Sequence, residues 1–199
     1  MLDTEDRADV EARARALAVA SDHAAMTTVA LEGYGPEILG YLHAVARNET
    51  DADEAFAMFS EDLWRAAPDF RWESTLRTWL YTLARNALFR LRRDPHRRPE
   101  RRIPLSQSPA HALADKVRSA TLPYLRTEAK DRLARVAAQL DPDDQTLFIL
   151  RVNRKMSWDD IARIMSGGDD PGGPRSAARL RKRFERAKAR LRQLLDRSE

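Results

Sequence analysis

The sequence predicts an all-α protein of two small helical domains joined by a flexible linker, and three observations predict it. Only 7 of the 199 residues are glycine, while Ala, Leu and Arg abound, a composition that favours helix. Apolar residues recur at helical spacing in two separate stretches. Between those stretches Pro95, Pro99, Pro104, Pro109 and Pro123 interrupt any long helix. Hydrophobic residues at 43% and charged residues at 33% suit a folded chain rather than a disordered one.

Taken in order, residues 1–30 are Ala-rich without a strong stripe, an extension whose role is not readable. A first helix is expected at Gly35-Pro36, because proline suits the first helical position, with Ile38, Leu39, Leu42, Val45 and Ala46 following at helical spacing. Thr50-Asp51-Ala52-Asp53 reads as a capping box opening a second helix, whose apolar residues are Ala55, Phe56, Phe59, Leu63 and Trp64. Pro68 closes it and a loop follows through Glu73. Ser74 is the expected cap of a third helix, with Leu76, Trp79, Leu80, Leu83, Ala84, Ala87, Leu88 and Leu91 on one face. These elements set the first domain at 31–94. A linker is expected over 95–127, with a helical turn near 110–119.

The second domain is expected over 128–199. Leu133, Val136, Ala137 and Leu140 form its first stripe. Asp141-Pro142-Asp143-Asp144 starts the next helix: a cap, a proline, then acids that complement the dipole. Leu147, Phe148, Leu150 and Val152 continue it. Ser157-Trp158-Asp159-Asp160 caps a short helix to Met165, and a Gly- and Pro-rich loop covers 166–174. A last helix from Ser176 to Leu195 turns Leu180, Phe184, Ala187, Leu191, Leu194 and Leu195 inward.

The net charge of +4 hides strong segregation. Residues 1–64 balance at −10, 65–103 at +7, 104–170 at zero and 171–199 at +7. Two separate basic blocks suit two contacts with a polyanion, most plainly nucleic acid, although a charged helix face also serves solvation alone. Cysteine is absent, which excludes disulfides and thiolate metal sites. His23, His43, His96 and His111 are scattered, and neither a nucleophile–base set nor a phosphate-binding glycine loop stands out. The reading is therefore not an enzyme, with no catalytic residues, no metal and no cofactor. Met1-Leu2-Asp3-Thr4-Glu5-Asp6 lacks the apolar core of a signal peptide, and no apolar run approaches the roughly 20 residues that span a bilayer. A cytoplasmic protein with no membrane partner is expected.

The last two helices have a helix-turn-helix layout. In that architecture the start of the second helix enters the major groove, where arginine reads guanine and phosphate contacts position the protein. Arg175, Ser176, Arg179, Arg181, Arg183 and Arg186 are the candidates there. The first basic block differs in kind: Phe70, Arg71, Trp72, Trp79 and Tyr81 sit among arginines, a mixture suited to unstacked bases. Trp79 lies on the apolar stripe and reads as core, as do Trp64 and Trp158, whereas Trp72 in the loop reads as exposed.

Three runs carry a family resemblance. They are Asp51-Ala52-Asp53-Glu54, the stretch from Trp64 to Arg71, and Ser74-Thr75-Leu76-Arg77-Thr78-Trp79-Leu80-Tyr81-Thr82-Leu83-Ala84-Arg85-Asn86. Together they resemble region 2 of bacterial RNA polymerase sigma factors of the extracytoplasmic-function (ECF) subfamily of the sigma-70 family. Leu140 to Asp144, Ser157 to Met165 and Leu180 to Leu191 are similar to region 4 of that family. The resemblance implies promoter recognition, −10 melting and transcription initiation on core RNA polymerase. By position, Glu54, Met58, Glu61 and Asp62 would face the polymerase. Phe70, Arg71, Trp72 and Ser74 would capture a flipped base of the −10 element, at a cost on the order of a few kcal/mol that a snug pocket must offset. Arg77, Arg85, Asn86 and Arg93 would hold the melted strand, and Arg175, Ser176, Arg179, Arg181, Arg183 and Arg186 the −35 element. Core RNA polymerase and promoter DNA, duplex and melted, are the partners implied; an anti-sigma factor is a further candidate, and the free chain is expected as a monomer.

Three departures stand out. The family has Gln-Glu where this chain has Ala57-Met58, an acid where it has Arg90, and a shorter turn than Gly167 to Gly173 before the recognition helix. Two alternatives stay open: a stand-alone helix-turn-helix regulator, and a sigma-like polymerase-binding inhibitor or adaptor.

Overall fold

The computed structural model describes residues 4–46, 48–93, 109–128 and 139–196. Its helices are α1 (Thr4–Val19), α2 (His23–Val45), α3 (Glu49–Ala66), α4 (Leu76–Arg93), α5 (Pro109–Glu128), α6 (Pro142–Phe148), α7 (Trp158–Met165) and α8 (Pro174–Asp196). A 3₁₀ turn, Ala67–Asp69, ends α3, and a π turn, Ile149–Asn153, extends α6. Among the described residues there is no strand, and the fold is all-α as the composition predicts. The stripe expected at Leu133, Val136 and Ala137 lies outside the described residues.

Helix α2 does not begin at Pro36. Asp22 caps it by accepting from the Ala25 amide at 3.0 Å, and Pro36 sits inside it. An internal proline costs about 3 kcal/mol. Met26, Leu31 and Tyr34, all fully buried upstream of it, each contribute roughly 1.5–3 kcal/mol and outweigh that cost. At α3 the cap is Asn48, which accepts from the Asp51 amide at 2.7 Å, rather than the expected Thr50. Thr75 rather than Ser74 caps α4, accepting from the Thr78 amide at 3.1 Å. The expected caps Asp141 and Ser157 do hold α6 and α7, by bonds of 3.0 and 3.1 Å.

Two glycines let α2 take a helix on either side. A Cβ on Gly33 would meet the Val10 methyls of α1 at 2.9 Å, and one on Gly35 would meet Val117 of α5 at 2.8 Å. Residues 109–128 therefore form a full helix against α2 and α3, longer than the expected turn at 110–119, with Arg118 paired to Asp53 at 3.0 Å. Val152, expected to continue the helix with Leu150, is 46% exposed, since two residues along a helix bring it to the opposite face.

The core is continuous across the two helical units. Leu39, Phe59 and Leu80 belong to the same buried cluster as Leu147, Ile161, Ile164 and Phe184. The Tyr41 hydroxyl reaches Thr146 Oγ1 at 3.3 Å, and the Tyr41 and Tyr81 rings meet edge to face at 5.3 Å. Helix α4 thus packs on α3 on one side and on α7 on the other.

Candidate nucleic-acid interface

The loop between the 3₁₀ turn and α4 is built on aromatic packing. Phe70 stacks on Trp79 with centroids 4.2 Å apart and planes at 9°, and lies 4.8 Å from Trp72. Trp72 has φ +59°, a left-handed conformation rare for a bulky residue. It is half-buried against the core rather than exposed as expected, and the Arg15 guanidinium sits 5.7 Å from its ring. The three rings therefore hold one another, while Arg71 and Glu73 are exposed on the loop. Beside them lies an open pocket of about 340 Å³ lined by Phe70, Arg71, Ser74, Trp79, Thr82 and Arg163. Ser74 turns its hydroxyl back to Thr75 O at 3.3 Å.

Helix α1, which offered no signal in the sequence, anchors the start of α4. The Glu11 carboxylate accepts from the Leu76 and Arg77 amides at 2.9 and 3.0 Å, satisfying two of the four donors a helix N-terminus leaves open. Its charge also lies at the positive end of the α4 dipole.

Most polar residues expected to hold a DNA strand already have partners. Arg77 donates from Nε to Glu37 Oε1 at 2.8 Å and from Nη1 to Arg154 O at 3.2 Å. Glu37, only 6% exposed, also accepts from the Tyr81 hydroxyl at 2.9 Å, and burial raises the Tyr81 pKa so that the phenol stays protonated. Arg85 is buried, donates from Nη2 to Asp143 Oδ1 at 2.8 Å, and lies 4.2 Å from the Phe89 ring. Asn86 donates to Gly167 O at 3.2 Å, and Thr78 donates to Asp160 Oδ1 at 2.9 Å. Arg93, at the end of α4, is exposed. The acceptors Glu37, Asp143, Asp160 and Gly167 O were missed. A lone acid within the apolar run around Ile38 and Leu39 was the one legible hint, at Glu37.

On α8 the pattern reverses. Arg175, Arg179, Arg181 and Arg186 are exposed, with Arg181 5.8 Å from the Trp158 ring. Arg183 is locked, with Nε 2.5 Å from Asp144, Nη1 3.5 Å from Asp143 and Nη2 3.2 Å from Asp141. Burial works against its charge, but the bond to Asp144 and the charges of Asp143 and Asp141 raise its pKa above the ordinary arginine value. Ser176 bonds Asp170, and the Gly172 amide reaches Asp170 Oδ1 at 2.9 Å. Those two bonds lower the Asp170 pKa. The long loop is thus fastened to the start of α8 through one carboxylate.

Along α3, Glu54, Met58, Glu61 and Asp62 are half-buried, and Met58 packs against the core. Asp62 pairs with Arg90 and, at 3.5 Å, with Arg65. The basic residue at 90 thereby neutralises one of the acids expected to face a partner.

Residues 30–98, which span most of α2 with α3, the loop and α4, match the family model of sigma-70 region 2. That match supports a sigma factor role in promoter recognition and transcription initiation, with core RNA polymerase and promoter DNA as partners. No curated protein matches the chain. No solved structure matches it either. Among the described residues no helix is long and apolar enough to cross a membrane.

Proposed function

We propose that the chain is a non-catalytic, ECF-type sigma factor of the cytoplasm that binds core RNA polymerase, melts the −10 element and reads the −35 element through α8. The observation that carries this reading is the sigma-70 region 2 match, laid on a helical hairpin whose loop combines a ring cluster, a pocket and the exposed Arg71. Exposed arginines along the start of α8 suit a duplex groove, where they read base edges or neutralise phosphates. Half-buried Glu54, Met58 and Glu61 along α3 suit a mixed polar and apolar polymerase contact.

Co-elution of the purified chain with core RNA polymerase on a sizing column, followed by transcription from a mapped promoter, tests the proposal. A stoichiometric, transcribing complex is expected; the absence of a complex would sink it. Within that complex Arg71→Ala should reduce promoter melting about tenfold with closed-complex affinity nearly kept, since a single base contact is lost. One observation favours a second reading, a polymerase-binding adaptor: Arg85 and Asn86 are covered by the C-terminal unit. A complex that forms but never transcribes would favour the adaptor.

A further inference from the structure

The loop assigned to a −10 base is gripped by a helix that lies outside the segment matching the family model. Helix α1 seats on α2 through the buried Val10 and Ala14. It then reaches the loop and α4 through Arg7, Glu11 and Arg15, which recur every fourth residue and so share one stripe. Each oxygen of the Glu11 carboxylate takes one amide, Oε2 from Leu76 at 2.9 Å and Oε1 from Arg77 at 3.0 Å. The Tyr34 hydroxyl of α2 donates to the same Oε1 at 3.3 Å. Burial first, and then the charge of Glu11, raise the Tyr34 pKa, so the phenol keeps the proton it donates. One turn later the Arg15 guanidinium sits 5.7 Å from the centre of the Trp72 ring. One turn earlier Arg7 lies 3.7 Å from Glu37, the carboxylate that holds the Arg77 side chain.

These contacts fix geometry that the loop does not fix by itself. Trp72 is held at φ +59°, a conformation that a bulky residue keeps only where its surroundings over-determine it. Two adjacent amides bound by one planar carboxylate set both the height and the rotation of the first turn of α4. Trp79 follows directly, and its ring carries Phe70 and lines the pocket. A turn of α4 about its own axis therefore moves the pocket wall.

Resting on the proposed function, we infer that Glu11 is a positioning residue for base capture: from α1 it sets the register of α4 and, with Arg15, the shape of the loop that receives the base. Glu11 acts through Leu76, Arg77 and the rings, without touching DNA itself. Helix α1 is thereby part of the −10 reader.

Abasic substitution along the non-template −10 strand, read by permanganate footprinting of the complex with core RNA polymerase, tests the inference. In the wild type an abasic site at the captured position should cost about tenfold in open complex, the worth of one stacked base. Glu11→Gln keeps the side-chain length but turns an NH₂ toward one of the two amides, so the same abasic site should cost less than about twofold. A merely structural loss would lower open complex on every template alike and leave the tenfold ratio intact. That outcome overturns the inference and leaves the sigma reading standing. Arg15→Ala, a change at an exposed position, decides the matter if Glu11→Gln fails to fold. Its ratio should fall to about threefold, and an unchanged ratio would overturn the inference. Arg13→Ala is the control, since Arg13 pairs with Asp9 at 3.4 Å on the exposed side of α1, and it should keep the full ratio. A loss there equal to that of Arg15→Ala would remove the assignment to this stripe. If the wild type forms no complex, or shows no position costing more than about twofold, base capture itself falls and this inference with it.

Discussion

The two basic blocks of this chain carry the same net charge of +7 and are put to opposite use. On α4, Arg77 and Arg85 point into the protein and meet Glu37 and Asp143. On α8, Arg175, Arg179 and Arg186 point into solvent, while Arg183 is held. The difference follows from packing. Helix α4 lies between α3 and α7, so few of its faces reach water, whereas among the described residues α8 packs mainly on α6 and α7 and keeps its outer face wet. A buried guanidinium needs a counter-charge and hydrogen bonds, while an exposed one needs neither. Composition alone therefore reports where a polyanion contact is plausible in sequence, not which arginines are available to make it.

The comparison breaks most sharply at Glu37. Glu37→Gln keeps the shape but removes the charge facing Arg77, Arg154 and Arg7, all within 3.9 Å of the carboxylate. Stability should fall by about 3–5 kcal/mol, the usual cost of leaving a buried ion pair half-made. Urea denaturation followed by circular dichroism reads this directly. A loss below about 1 kcal/mol would mean that Arg77 is effectively solvated, and so closer in kind to the α8 arginines.

A smaller effect sharpens the contrast from the other side. Arg179→Ala should weaken duplex binding by about 1–3 kcal/mol while changing stability by less than about 0.5 kcal/mol. Titration of a labelled duplex, alongside urea denaturation, separates the two quantities. An Arg179→Ala chain that binds duplex as well as the wild type would show that α8 does not present this residue to DNA.

What the sequence made legible follows the range of the interactions involved. Asp141 and Ser157 could be read as caps because a cap acts on amides two or three residues away. The start of α2 was misread because Pro36 is a strong local signal, and only burial of Met26, Leu31 and Tyr34 against other helices overrides it. The loop aromatics and the basic residues of α4 stood out by type and spacing. Their partners did not, since Asp143 lies 58 residues from Arg85 and Glu37 lies 40 from Arg77. No periodicity links such positions. Glu11 is the plainest case: nothing in an Ala-rich, stripe-poor segment marks the carboxylate that caps α4.

The smallest effect concerns the way α8 is tethered. Bonds from Ser176 and from the Gly172 amide lower the pKa of Asp170, so the folded state favours the ionised carboxylate over the unfolded chain. For a depressed carboxylate the sign is fixed: its stabilising contribution is complete above the unfolded pKa and disappears as pH falls through the lower folded value. The window therefore lies below about pH 4, where an unperturbed aspartate would begin to take up its proton. Asp170 is half-buried and its carboxylate bonds run to Gly172 and Ser176, so the effect should be local, loosening the loop and the first turn of α8 rather than unfolding the chain. Amide exchange at Gly172 should quicken as pH falls through that window, beyond the intrinsic pH dependence of exchange, while amides of α4 keep their protection. Asp170→Asn should show the faster exchange already at neutral pH and lose its pH dependence. Equal protection at Gly172 in variant and wild type would mean that Ser176 and the loop hold α8 without this carboxylate, and the start of α8 would then be as independently fixed as the start of α4.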